Sequence, residues 1–224
     1  MNERPYVTVN MATSLDGRIS TRRRETVTLG TRNDRHLMDV LRARSDGVLV
    51  GAGTVRHDGF PVLVRDPEVR RRRSRKRPTH PVNIVLSRTL DMPVNRGIFQ
   101  HSDTEKLIFT TRAATAARLK RFRRVAEVVV LPRRTLPVDA VLAELAKRGM
   151  RKILLEGGGE LHFAFARAGC VDEIYVTVTP HLIGGPAPTL LDGSGFLWKE
   201  HPRLELVSSR RAGDEVFLRY RVKR

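Results

Sequence analysis

A three-layer α/β fold, with a mostly parallel central sheet and antiparallel C-terminal strands, is predicted by three observations. Short β-branched or aliphatic runs alternate with helical patterns from residue 6 to residue 169. Several runs, Gly47–Val50 and Val82–Leu86 among them, read as strands covered on both faces by helices. The last three strand-like segments, Asp172–Thr179, Arg203–Arg210 and Glu215–Val222, follow one another with no helix between them, as antiparallel strands do.

Each element has its own justification. Tyr6–Thr13 alternates and is rich in β-branched residues, so it reads as a strand. Thr31 and Asn33-Asp34 can cap a helix whose apolar positions are Leu37, Val40 and Leu41. Gly47–Val50 is a short strand running into Gly51-Ala-Gly-Thr-Val55, and Val82–Leu86 and Lys106–Thr111 are further strands. An Ala-rich helix spans about Ala113–Phe122, and Val125–Leu131 is a strand. Pro137 opens a helix with Val138, Val141, Leu142 and Leu145 on one face and Gly149 at its end. The strand around Ile153 meets Gly157-Gly158-Gly159, and a helix starts near Glu160 and closes at Gly169. No internal repeat and no linker divides the chain, so one domain over residues 1–224 is expected.

Composition narrows the function classes. No apolar run approaches the roughly 18–20 residues that span a bilayer, and the first residues carry no apolar signal core. Cysteine occurs once, at Cys170, which excludes an internal disulfide framework and fits a reducing cytoplasm. The seven histidines show no metal-ligand spacing, and no Ser-His-Asp arrangement can be argued. The formal charge is +18, yet only seven of the 42 basic residues are lysine. The densest run, Arg70–Arg77, reads as an exposed loop between Pro67 and Pro78, with no aromatics interleaved to stack on bases. Specific nucleic-acid binding is therefore disfavoured, while attraction of phosphorylated small molecules is expected.

The segment Lys152–Leu161 carries the sharpest chemical signal. A buried strand, three glycines and a helix start bring backbone N–H groups and the positive end of a helix dipole together where an anion can sit. The same pattern also serves as an ordinary structural turn.

Four segments in register resemble one family. Asn10–Arg18 (NMATSLDGR), Ser45–Asp58 (SDGVLVGAGTVRHD), Leu154–Gly159 (LLEGGG) and Pro180–Thr189 with Asp192–Gly195 are similar to the signatures of the riboflavin-biosynthesis pyrimidine reductases. The resemblance covers nearly the whole chain. It implies a dihydrofolate-reductase-like fold, a homodimer and NADPH as cofactor. It also implies reduction of a phosphorylated pyrimidine substrate, whose ribosylamino group becomes ribitylamino as hydride reaches the sugar C1 through a ring-opened imine. The zinc-deaminase signature often fused to such reductases is absent, which points to a stand-alone reductase acting on either the diamino or the deaminated pyrimidine.

The resemblance assigns residues. Thr54 and Asp58 match positions that contact the dinucleotide, and Ala12 one whose main chain meets the nicotinamide amide. Thr28 lies where the nicotinamide ribose is met. Gly157, Gly158, Gly159, Glu160 and Leu161 match the phosphate-side loop. Ser87 and Arg88 end a strand with a hydroxyl and a guanidinium that suit a 2′-phosphate; the family often has an acidic residue where Ser87 stands. Arg42 and Arg65 match the groups that hold the substrate 5′-phosphate, Val62 is an apolar neighbour of the substrate, and Thr26 and Glu156 contact it. Glu156 is expected to bind; as a proton donor it is the weaker candidate. Asp16 reads as a turn residue. The family usually has Asp-Asp-Pro or Asp-Asn-Pro where this chain has Asp58-Gly59-Phe60-Pro61, so the path around the substrate pocket is open. A reductase of another small molecule, such as a dihydropterin, and a basic nucleic-acid-binding protein are the competing readings.

Overall fold

Four runs of apolar residues, buried nearly end to end or at a sheet edge, pair in parallel. A computed structural model describes residues 4–57, 61–74 and 77–223. Nine strands hydrogen-bond in the order β5-β4-β3-β2-β6-β1-β7-β9-β8. The chain divides into two compact units: Asp39–Leu154 with the N-terminal residues through Pro5, and Tyr6–Met38 with Leu155–Arg224.

The first unit contains β2 (Gly47–Gly51), β3 (Val82–Leu86), β4 (Lys106–Thr111), β5 (Glu127–Leu131) and β6 (Lys152–Leu155). β2, β3, β4 and β5 pair in parallel. Val48, Leu49, Val50, Ile84, Val85, Ile108, Phe109, Ile153 and Leu154 are all at most 1% exposed, as a sheet covered on both faces requires. The helices α2 (Ala52–His57), α3 (Pro67–Ser74), α4 (Ala116–Phe122) and α5 (Val138–Lys147) belong here. Val141, Leu142 and Leu145 of α5 are buried on one face, as their spacing predicts. α4 begins three residues later than the Ala-rich pattern suggests, because Thr115 caps it through an amide bond from Arg118.

The second unit contains β1 (Tyr6–Ser14), β7 (Glu173–Thr179), β8 (Leu204–Ala212), β9 (Glu215–Val222) and α6 (Gly159–Arg167). β1 and β7 are parallel; β7/β9 and β9/β8 are antiparallel, so the predicted change of direction at the C-terminus is present. Gly213, at φ 61°, turns the β8–β9 hairpin. The helix α1 (Arg32–Arg44) starts at a Thr31 cap, whose Oγ1 accepts the Asn33 amide at 3.2 Å.

The arginine run corrects the loop expected there. Residues 67–74 form α3. Pro67 suits the first turn, and the Asp66 carboxylate caps it by accepting the amides of Glu68 (2.9 Å) and Val69 (3.1 Å). Glu68 pairs with Arg72 one turn on. Arg73 turns inward and is only 6% exposed. Its guanidinium donates to the carbonyls of Pro78 (2.7 Å), Ala43 (2.7 Å) and Ser45 (2.8 Å). Burial, with Arg77 beside it, lowers its pKa to about 10, so it stays charged at neutral pH. Arg73→Met is expected to leave three carbonyls poorly satisfied and lower stability by ~3 kcal/mol, whereas Arg71→Met shifts it by about 0.5 kcal/mol or less. Urea unfolding of both variants measures the difference.

Candidate functional site

The first unit places a helix start and a turn side by side. Parallel register sets Gly51 opposite Leu86, so the start of α2, directly after β2, and the turn after β3 leave adjacent strand ends. A side chain at Gly53 would meet nothing within 4 Å, which leaves open ground beside the half-buried Thr54. Asp58, with Gly59 and Phe60, lies outside the described residues.

The turn after β3 is tied down from all sides. Ser87 is buried, and its Oγ accepts the Leu90 amide at 3.0 Å. Thr110 and Thr111 hydroxyls both donate to the Arg88 carbonyl, at 3.3 and 2.9 Å. Arg118 donates to the Thr89 carbonyl (3.1 Å) and pairs with Asp91 (2.7 Å), and Arg56 donates to the Asp91 carbonyl (2.7 Å). Arg88 itself is exposed, so a fixed backbone presents an outward guanidinium. Ser87 is only 3% exposed and serves the turn through its bond to the Leu90 amide.

The segment 61–66 has no regular secondary structure, yet each residue from Val62 to Asp66 is held by a buried side chain. Asn83 donates to the Val62 carbonyl (3.1 Å), and Arg42 to the Leu63 carbonyl (2.8 Å). His80 Nδ1 accepts the Val64 amide (3.1 Å). Asp39 accepts the amides of Arg65 (3.0 Å) and Asp66 (2.9 Å). The clamp fixes the His80 tautomer: Nδ1 must be bare, so the proton sits on Nε2, 3.3 Å from the Asp103 carboxylate. Burial is the main force lowering the His80 pKa, against Asp103, which raises it. Val62 is buried and Arg65 is exposed at the end of the clamped segment. Arg42 is 5% exposed and spends one nitrogen on the Leu63 carbonyl, so it supports this backbone as well as carrying charge.

The second unit holds the glycine turn. Gly157 has φ 119°, a conformation that demands glycine, and the Gly157–Gly158 peptide is cis. Gly158 caps α6, and the amides of Gly159 and Glu160 have no acceptor inside a helix that starts there. Gly159 is small for a protein reason: a Cβ there would collide with the Thr189 carbonyl and lie 2.8 Å from Asp192 Cβ. Glu160 is exposed at the helix start, Leu161 is half-buried, and the half-buried Glu156 follows β6. Ala12 sits opposite Thr177 in the β1–β7 register. Thr26 and Thr28 are exposed on the irregular segment before α1.

Asp16 is the turn residue expected. Its carboxylate accepts from Ser14 Oγ (2.7 Å) and from the amides of Ile183 (3.1 Å) and Gly184 (2.7 Å). The Ser14 hydroxyl first, then those amides, lower its pKa to about 2. Sequence reasoning missed Asp39, His80, Asn83 and His162, all of which act through tertiary contacts that spacing does not reveal. His162 is fully buried in α6, with Nδ1 3.0 Å from the Leu190 carbonyl. It thereby holds the segment that packs on Gly159. Among the described residues no cluster could hold a metal, and no helix is long and apolar enough to cross a membrane.

Known proteins agree with this arrangement. The family described as the RibD C-terminal domain matches residues 5–218. A 2,5-diamino-6-ribosylamino-4(3H)-pyrimidinone 5′-phosphate reductase of Archaeoglobus fulgidus is 35% identical over 199 residues, which is 88% of this chain and 90% of that protein. The crystal structure of a pyrimidine reductase-like protein from Corynebacterium diphtheriae superposes with a TM-score of 0.85 at 26% identity, covering 98% of this chain and 92% of the other. A dihydrofolate reductase of Enterococcus faecalis shares the fold, with a TM-score of 0.50 at 13% identity over 98% and 97% of the two chains.

His162 gives a pH signature. Burial lowers its pKa from 6.5 to about 4. Between those values the unfolded chain takes up a proton that the folded one refuses, so this residue's contribution is intact above pH 6.5 and is lost progressively down to pH 4. The full loss is about 3 kcal/mol. Urea midpoints measured across that window should fall less steeply in His162→Gln than in the wild type.

Proposed function

The chain belongs to the RibD C-terminal domain family, and from that premise we propose that it is an NADPH-dependent reductase of riboflavin biosynthesis. Its substrate is a ribosylamino-pyrimidinone 5′-phosphate, whose sugar it reduces to the ribityl form. The diamino pyrimidine is the preferred substrate, because the Archaeoglobus relative bears that name along nearly its whole length. The structural observation that supports the cofactor assignment is the pinned turn after β3, which presents Arg88 outward one strand from the open start of α2 at Gly53.

A dinucleotide fits what these residues offer. Thr54 and Asp58 receive it, with Ala12 and Thr28 meeting its nicotinamide end. The backbone of Gly157, Gly158, Gly159 and Glu160 supplies donors to its phosphates, with Leu161 beside them. Arg88 meets the 2′-phosphate; Ser87 acts by lacking the negative charge that would repel that group, and by closing the turn. When bound, the cofactor supplies hydride to the substrate C1.

The protein's own work is to bind and orient. Arg65 holds the substrate phosphate from a backbone that Asp39 and Arg42 fix in place. Arg42 adds its charge, Val62 packs beside the substrate, and Thr26 and Glu156 fix the sugar or the base. The active form is a homodimer of a cytoplasmic enzyme. Exposed Leu204 and Leu206 on the edge strand β8, with Val216 on β9, support pairing of two copies.

Incubation with NADPH and each pyrimidine phosphate, followed at the nicotinamide absorbance, tests the reading; no oxidation with either would end it. Arg65→Ala is expected to raise the substrate KM about 10–100-fold, the worth of a charge-assisted phosphate contact, with NADPH affinity unchanged. Arg88→Ala is expected to lower kcat/KM about 10–100-fold with NADPH and to leave NADH unaffected.

A further inference from the structure

Asp34 occupies the third position of α1, three residues after the Thr31 cap. An acidic residue there ordinarily reaches back to the cap's amide. Here that partner is taken. The Thr31 amide and hydroxyl donate to the two oxygens of Glu215, each at 2.6 Å. Glu215, from β9, is itself wholly buried. Asp34 is left 9% exposed, and its Oδ1 has no hydrogen-bond partner among the described residues. Thr177 Oγ1 on β7 is fully buried beside the carboxyl, and its hydroxyl hydrogen-bonds to Asp34. A side chain at Gly30 would collide with Asp34, so the carboxyl lies against that glycine. A buried carboxyl oxygen without a partner marks a place where a ligand's polar group completes the bonding.

The same unit supplies the groups around it. The Asp34 pKa is raised by burial above all, and further by the charges of Glu215 and Glu156; Thr177 and Arg35 pull the other way. Glu156 is the carboxylate assigned to substrate, and Thr177 stands opposite Ala12 in the β1–β7 register.

We propose that Asp34 and Thr177 form a proton-holding subsite that delivers a proton to the ribosyl ring oxygen of the substrate as the sugar opens. This rests on the reductase reading above. The exocyclic nitrogen's lone pair forms the C=N bond while the C1–ring-oxygen bond breaks. The ring oxygen takes the Asp34 proton and becomes a hydroxyl. The nitrogen keeps its hydrogen, leaving a cationic iminium opposite a carboxylate. Hydride from a reduced nicotinamide dinucleotide then neutralises C1, and solvent returns the proton to Asp34. One proton and one hydride are consumed per sugar reduced.

Infrared spectroscopy of the unliganded full chain at neutral pH tests the first half. A protonated-carboxyl band is expected in the wild type and in Glu156→Gln, and is expected to vanish in Asp34→Asn. Kinetics test the second half. Asp34→Asn, which keeps the shape and removes the acid, is expected to lower kcat about 100-fold or more with NADPH affinity and melting temperature retained. Thr177→Val is expected to move the alkaline limb of the kcat profile. Wild-type turnover in Asp34→Asn, an unmoved limb in Thr177→Val, or a missing band would overturn the proposal. If the wild type reduces neither pyrimidine, the reductase reading falls and takes the proton's destination with it, while the band still decides whether Asp34 holds a proton.

Discussion

The Asp39 carboxylate, accepting two consecutive amides from Arg65 and Asp66, is the interaction on which the substrate side of the first unit depends. Residues 61–66 form neither helix nor strand, so their backbone groups have no ladder to join. Unpaired and half-buried, they would cost more than most side chains could return. Asp39, Arg42, His80 and Asn83 answer that cost one bond at a time, and each is itself buried to 6% exposure or less. A charged clamp of this kind also gives precision. Arg65 projects from a backbone with little freedom, and a phosphate contact made from such a base loses less entropy than one made from a loose loop.

The same logic explains an arginine-rich chain that is not organised for nucleic acid. Several of its guanidiniums are turned onto the protein's own carbonyls: Arg73 onto three, Arg42 onto Leu63, Arg118 onto Thr89, Arg56 onto Asp91. A planar donor fork can staple loop backbone that a lysine would satisfy with a single point charge. The +18 formal charge therefore overstates the free positive surface. Arg65 and Arg88, the two proposed to meet phosphates, are exposed at the ends of clamped segments.

Period and punctuation in the sequence were enough to read the strands, the change of direction at the C-terminus, and the helix that Pro137 opens and Gly149 closes. Those features are local: a two- or 3.6-residue period and a cap can be seen without knowing the neighbours. The arginine run was misread because composition spoke for a loop, while the deciding contacts were an Asp66 cap and three distant carbonyls for Arg73. The glycine turn was recognisable, but not why each glycine is there. Gly157 answers to its own φ angle; Gly159 answers to the Thr189–Asp192 segment, thirty or so residues on. Ser87 was legible as a strand-end hydroxyl, but its bond to the Leu90 amide was not. The clamp on 61–66 could not be read at all, because Asp39, His80 and Asn83 come from three separate elements and share no spacing.

Asp34 shows how one long-range contact changes a residue's meaning. By sequence, Thr31 and Asp34 are a capping pair, and a carboxylate at a helix start is stabilised by the dipole. Glu215 is 184 residues from Thr31, and it takes both of the cap's hydrogens. Two acids now compete for one helix start. Glu215 wins the hydrogen bonds, with a donor facing each of its oxygens. The other is buried beside that charge with no donor aimed at Oδ1. Like charges so placed cannot both ionise freely, and burial sharpens the contest because the interior screens poorly. Burial first, and then the neighbouring charges of Glu215 and Glu156, raise the Asp34 pKa, which is the direction the proposed proton-holding subsite needs. A fold that only needed its helix capped would have no use for the second carboxyl. A buried acid whose Oδ1 lacks a partner, in the unit that also carries Glu156, fits the proton-holding subsite proposed above.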